Sequence, residues 1–249
     1  MSYMLYTVDA GPEHMATVYP VCYAQDSRTV KTGKRQMAKE AKDRANLKAA
    51  YKKLEMDLAA NYRRGDLWIT LTFADEHLPK TRKQVQARVK RFVQNLRRVR
   101  ESKGGTLKYH YCIEHKHMSA DEAVDGRWHI HMVLNATGKD YKMLQAIWGL
   151  GRVDIDRVQI NKDKNFESLA RYMCKEARDK LGHRLWSASR NCAKPERDRQ
   201  RVADDFRLKI PRGAMVLSDT GEVTTAYGRY RFVRYILPRE IQTAPGGRR

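Results

Sequence analysis

Cysteine is scarce in this chain of 249 residues. Cys22, Cys112, Cys174 and Cys192 stand far apart, and no Cys-x-x-Cys pair occurs, which argues against a zinc finger and against a disulfide framework. A reducing cytoplasm is the compartment that fits this usage. Long apolar runs are missing, as are lipidation signals, so nothing points to a membrane. The opening Met1-Ser2-Tyr3-Met4-Leu5 lacks the basic-then-apolar layout of a signal peptide. Acidic residues are too few to balance the basic ones: 29 Asp plus Glu face 50 Lys plus Arg, a formal charge of +21. Such an excess favours a polyanionic partner, nucleic acid above all. The length suits one large domain or a domain with extensions, and buries enough surface to need no staples.

What is present starts to organise at Asp66. Leu67 to Phe73 is β-branched and aromatic, hence a strand. Pro79 and Thr81 open a helix with an apolar stripe of Val85, Val89, Phe92, Leu96 and Val99, and Gly104-Gly105 ends it. Leu107 to Glu114 and Trp128 to Asn135 read as strands. Tyr141 to Trp148 reads as a helix, stopped by Gly149 and Gly151, and Arg152 to Val158 as a fourth strand. A further helix is expected over Phe166 to Leu181. The order β-α-β-β-α-β predicts an α+β fold, a ferredoxin-like antiparallel sheet with two helices on one face and an extra helix free to cover the other. Three segments are expected: 1–65, a basic and largely helical extension; 66–195, the core domain; and 196–249, a C-terminal extension. In the last, Tyr227-Gly228-Arg229-Tyr230-Arg231-Phe232 alternates aromatics and bases, suited to stacking and phosphate contact or to an ordinary edge strand.

The chemistry concentrates in Trp128-His129-Ile130-His131-Met132-Val133-Leu134. Side chains of a strand alternate faces. His129 and His131 therefore share one face, while Trp128, Ile130, Met132 and Leu134 point into a core. Two adjacent imidazoles can hold one divalent ion, although such histidines also occur as ordinary core or surface residues. Glu114, at the end of the preceding strand, can sit beside them and complete a set suited to a borderline-to-hard divalent ion. His115 and His117 compete for its place, with Asp121 and Glu122 as weaker alternatives. Tyr172 lies at the edge of the last helix's apolar stripe, where it can point into a cleft or simply snorkel its hydroxyl to water. A free tyrosine has a pKa near 10, so its phenolate at pH 7 costs about 4 kcal/mol. Lys175, one turn on, can offset part of that cost.

His129-Ile130-His131, Tyr172-x-x-Lys175 and Thr70-Leu71-Thr72, in this order along the chain, resemble the motifs of the HUH endonucleases, most nearly the rolling-circle replication initiators of phages and plasmids. The likeness covers roughly residues 66–195. It implies that His129, His131 and Glu114 bind Mg²⁺ or Mn²⁺, that Tyr172 is the nucleophile, assisted by Lys175, and that the product is a 5′-phosphotyrosine with a free 3′-hydroxyl. The stretch Trp186 to Asn191 resembles the segment after the tyrosine helix in phage-type initiators. Thr70, Thr72, Arg184, Ser189, Arg190 and Asn191 are accordingly expected to contact nucleic acid. Single-stranded origin DNA is the implied partner, in the cytoplasm of a prokaryotic host. No Gly-x-x-x-x-Gly-Lys-[Ser/Thr] is present, so unwinding and synthesis are expected of a host helicase and polymerase. The alternatives are a relaxase or small transposase with the same site, or a non-catalytic nucleic-acid binder on the same sheet.

Overall fold

A computed structural model describes residues 2–21, 39–116, 127–159, 165–173, 185–225 and 228–237. The chain begins with β1 (Tyr3–Ala10), β2 (Glu13–Pro20) and α1 (Lys39–Ala59). It continues through β3 (Leu67–Leu71), α2 (Arg82–Glu101), β4 (Tyr109–Lys116), β5 (Arg127–Leu134), α3 (Tyr141–Trp148), β6 (Val153–Arg157), α4 (Glu167–Met173) and β7 (Ser187–Ala188). It ends with β8 (Glu196–Val202), β9 (Met215–Asp219), β10 (Val223–Thr225) and β11 (Gly228–Ile236). Among the described residues, no helix is long and apolar enough to cross a membrane. Two units emerge: one comprises Met1–Ala60, Lys162–Asn165 and Ala193–Arg249, the other Asn61–Asn161 and Phe166–Cys192.

The second unit is built on a sheet of order β6-β3-β5-β4-β7, with every pairing antiparallel. Strands β3, β4, β5 and β6 with helices α2 and α3 follow the expected β-α-β-β-α-β order, and their lateral order places the first and third strands at the centre, as in a ferredoxin-like sheet. Thr81 caps α2: its hydroxyl accepts from the Gln84 N–H at 3.3 Å, and the Gln84 side chain accepts from the Thr81 N–H at 3.2 Å. The α2 stripe of Val85, Val89, Phe92 and Leu96 is fully buried against Ile69, Leu71, Ile130, Met132 and Leu134 of the sheet. From α3, Leu144 and Trp148 join the same core, and Gly149 in the left-handed conformation ends that helix. Gly151 lies so close to the end of β3 that an added Cβ would come within 2.4 Å of the Thr72 carbonyl oxygen. Arg100, 2% exposed near the end of α2, donates to Asn135 Oδ1 at 2.9 Å and to Asp140 Oδ1 at 3.1 Å, tying that helix to the β5–α3 connection.

The first unit is a sheet of order β10-β11-β2-β1-β8, with β9 also paired to β11. Tyr3, Leu5, Ala16 and Val18 pack together in it. Arg234 on β11 pairs with Glu13 on β2 at 3.1 Å and donates to Glu55 of α1 at 2.8 Å; all three are buried. The segment Gly228–Phe232 is thus no edge strand: β11 is flanked by β2 on one side and by β9 and β10 on the other. Its arginines are engaged internally, Arg231 with Asp219 at 2.7 Å and Arg229 with Glu222 at 3.2 Å.

Candidate metal centre

Strand parity builds the site. Along β5, Ile130, Met132 and Leu134 are fully buried in the helix-side core, which turns His129 and His131 to the other face of the sheet. Register sets the partners. Glu114 of β4 lies directly opposite His129, and Thr70 of β3 directly opposite His131. The ligand atoms of Glu114, His129 and His131 all fall within 4.8 Å of one another, the only such group of three among the described residues. His131 Nε2 and Glu114 Oε2 are hydrogen-bonded, and the Thr70 hydroxyl contacts His131 Nδ1 at 3.0 Å.

Electrostatics favours an ion here. Glu114 is 7% exposed and His131 4%. An uncompensated buried carboxylate costs several kcal/mol, so Glu114 requires a positive partner. A divalent ion held by one carboxylate and two imidazoles supplies it and leaves positions open for water or phosphate oxygen. In the tautomer that frees Nε2 of His131 for such an ion, Nδ1–H donates to Thr70, fixing ring and tautomer together.

Helix α4 covers part of this face. Phe166, Ala170 and Met173 are buried, while Tyr172 remains 44% exposed. Its ring stands edge-on to His131, with centroids 5.1 Å apart, and edge-on to Trp68 at 5.6 Å. Trp68 in turn stacks flat on His131 at 5.4 Å. The phenol is therefore packed on a ligand ring and open to a substrate at once. Trp68 is the residue that reading by motif misses. Its parity with Thr70 on β3 was the available signal.

The remaining expected residues divide. His115 points to the other face and packs on Trp128, with centroids 4.2 Å apart, so it does not replace Glu114. Thr72 is occupied with the Arg152 backbone, donating to its carbonyl at 3.2 Å and accepting from its N–H at 3.3 Å. Ser189 is buried, accepting from the Tyr109 N–H at 3.2 Å. Arg190 and Asn191 are exposed beside it. Lys175, Arg184, His117, Asp121 and Glu122 lie outside the described residues.

Residues 66–178 match a family model of replication-associated proteins, the ORF2 type. The matched span runs from the start of β3 past the end of α4 and contains Thr70, Glu114, His129, His131 and Tyr172. No curated protein and no solved structure gives a significant match.

Proposed function

We propose that the chain is a metal-dependent nickase and strand-transferase of single-stranded DNA that initiates rolling-circle replication. The observation that carries this reading is the packing of an exposed tyrosine ring on one imidazole of a His-His-Glu cluster. Similarity of residues 66–178 to replication-associated proteins and a charge of +21 support DNA as the substrate.

In this reading Glu114, His129 and His131 hold Mg²⁺ or Mn²⁺, which supplies charge stabilisation at the scissile phosphate. Thr70 orients His131, and Trp68 wedges its ring against Tyr172. The Tyr172 phenol oxygen forms a bond to phosphorus as the P–O3′ bond breaks; the phenol proton leaves and the departing 3′-oxygen gains one. The products are a 5′-phosphotyrosine and a free 3′-hydroxyl. Lys175 offsets charge on the phenolate. Because the phosphodiester energy is kept in the tyrosyl ester, a 3′-hydroxyl can reverse the step and rejoin strands.

The test is a denaturing gel of protein incubated with a labelled, randomised single-stranded oligonucleotide pool and Mn²⁺. A band of protein covalently joined to DNA is expected, absent with chelator, absent in Tyr172→Phe, and mapped by peptide mass to Tyr172. An undiminished adduct in Tyr172→Phe, or one mapped to another tyrosine, overturns the assignment.

A further inference from the structure

The sheet that carries the metal cluster has a second usable surface. Strand β4 turns His110, Cys112 and Glu114 to one face and Tyr109, Tyr111 and Ile113 to the other. On that other face, between α2 and the edge formed by β4 and β7, runs a groove of about 740 Å³. Tyr109 and Tyr111 form part of its floor, with ring centroids 6.0 Å apart. Lys90 and Arg97 line it from α2, and Arg190 and Asn191 from the segment after β7. One acid, Glu101, closes an end. A second hollow of about 240 Å³ shares Gln86 and Tyr111 with the first and adds Arg82 and Trp186. It reaches Ile113, one residue from Glu114.

We infer that this groove binds single-stranded DNA, holding the strand flanking the cleavage point on the face opposite the metal cluster; the identity of the polymer rests on the function proposed above. Three aromatic rings offer platforms for unpaired bases, and four cations meet the backbone against a single acid. This is the combination that single-strand binding requires. Stacking on rings at the floor of a groove demands unpaired bases, which excludes a duplex. Arg97 hydrogen-bonds the Tyr109 hydroxyl, fixing one platform in place. The sequence flagged Arg190 and Asn191 but not their partners, because Tyr109, Tyr111 and Lys90 come together only through the pairing of β4 with β7 and the packing of α2.

The test uses the full chain, chelator to prevent cutting, and a fluorescein-labelled dT12 read by anisotropy. Lys90→Glu with Arg190→Glu changes two exposed positions and should weaken binding at least ten-fold. It should also lower the slope of log affinity against log salt by about 1.4, two contacts at about 0.7 each. Tyr111→Leu keeps an apolar packing residue and should weaken binding roughly ten-fold without changing the slope. Photocrosslinking with 5-iododeoxyuridine should label Tyr109, Tyr111 or Trp186, and should do so equally in Glu114→Gln, which loses the covalent adduct. Parent-like affinity in both groove variants, with crosslinks confined to Trp68 and Tyr172, overturns the groove and leaves the nickase reading intact. Equal displacement by duplex DNA overturns its single-strand character. Groove crosslinks without any metal-dependent adduct from the randomised pool leave the groove standing and overturn the nickase.

Discussion

Acidification from pH 7 to pH 4 should destabilise the second unit through one imidazole, that of His110. This ring is 1% exposed, and Tyr62 donates to its Nδ1 at 2.9 Å, so it is held as a neutral acceptor. Burial pushes its pKa from 6.5 down to about 4. Because the folded-state value is depressed, the unfolded chain takes up the proton first as pH falls. The stability is complete above about pH 6.5, is lost between 6.5 and 4, and changes no further below. At about 1.4 kcal/mol per pH unit the loss is about 3 kcal/mol. Urea denaturation at a series of pH values, with chelator throughout, measures it. His110→Asn keeps an acceptor for Tyr62 and lacks the titrating ring. The stability of the parent relative to this variant should shrink by about 3 kcal/mol across the window. Carboxylates common to both proteins cancel. A difference that stays flat, or an NMR titration of the His110 ring centred near 6.5, would refute the reasoning.

Thr70→Val preserves shape and removes the oxygen facing His131; it should weaken Mn²⁺ binding 10- to 100-fold by calorimetric titration, and unchanged affinity would remove Thr70 from the site. Arg100→Ala strands the buried Asp140 carboxylate, yet the N–H groups of Thr137 and Gly138 still donate to it, at 2.7 and 3.1 Å. The expected cost in urea is therefore near the low end for a broken buried pair, about 3 kcal/mol. Gly151→Ala drives a methyl into the backbone of Thr72 and Ala74 and should cost more than about 2 kcal/mol; a cost below about 0.5 kcal/mol would show that this turn yields freely.

Alternation and helical stripes made the second unit legible. Strand β5 announces itself because its buried and ligand faces alternate without exception from Trp128 to Leu134. Helix α2 does so through its stripe and capping box. The metal cluster was readable because two of its members are neighbours on one strand and the third lies on the preceding one. What could not be read was lateral. That Thr70 faces His131, and Trp68 its ring, depends on β3 pairing with β5 rather than with β4, a matter of sheet order that no local pattern encodes. The first unit was harder still. Residues 3–20 show no clean alternation, because the hairpin they form has close neighbours on both sides and takes its pairing from segments far along the chain. Arg229 and Arg231 read as phosphate contacts until Glu222 and Asp219 are seen to claim them.

That long-range pairing has a consequence for how the chain is born. β1 aligns Tyr3 with Val202 of β8, and β2 aligns Val18 with Arg231 of β11. Residues 61–159 and 166–192 all leave the ribosome before either partner exists. At about 5–20 residues per second, the β1–β2 hairpin waits roughly ten to forty seconds with both edges bare. A lone hairpin is marginal in water. The sheet bearing the histidines, whose pairings are all internal to its own unit, needs nothing that follows Cys192 and can fold in that interval. Synthesis halted shortly after Cys192 therefore yields a nascent chain with the metal face assembled and the hairpin without neighbours, an intermediate more exposed to edge-to-edge association than the finished protein.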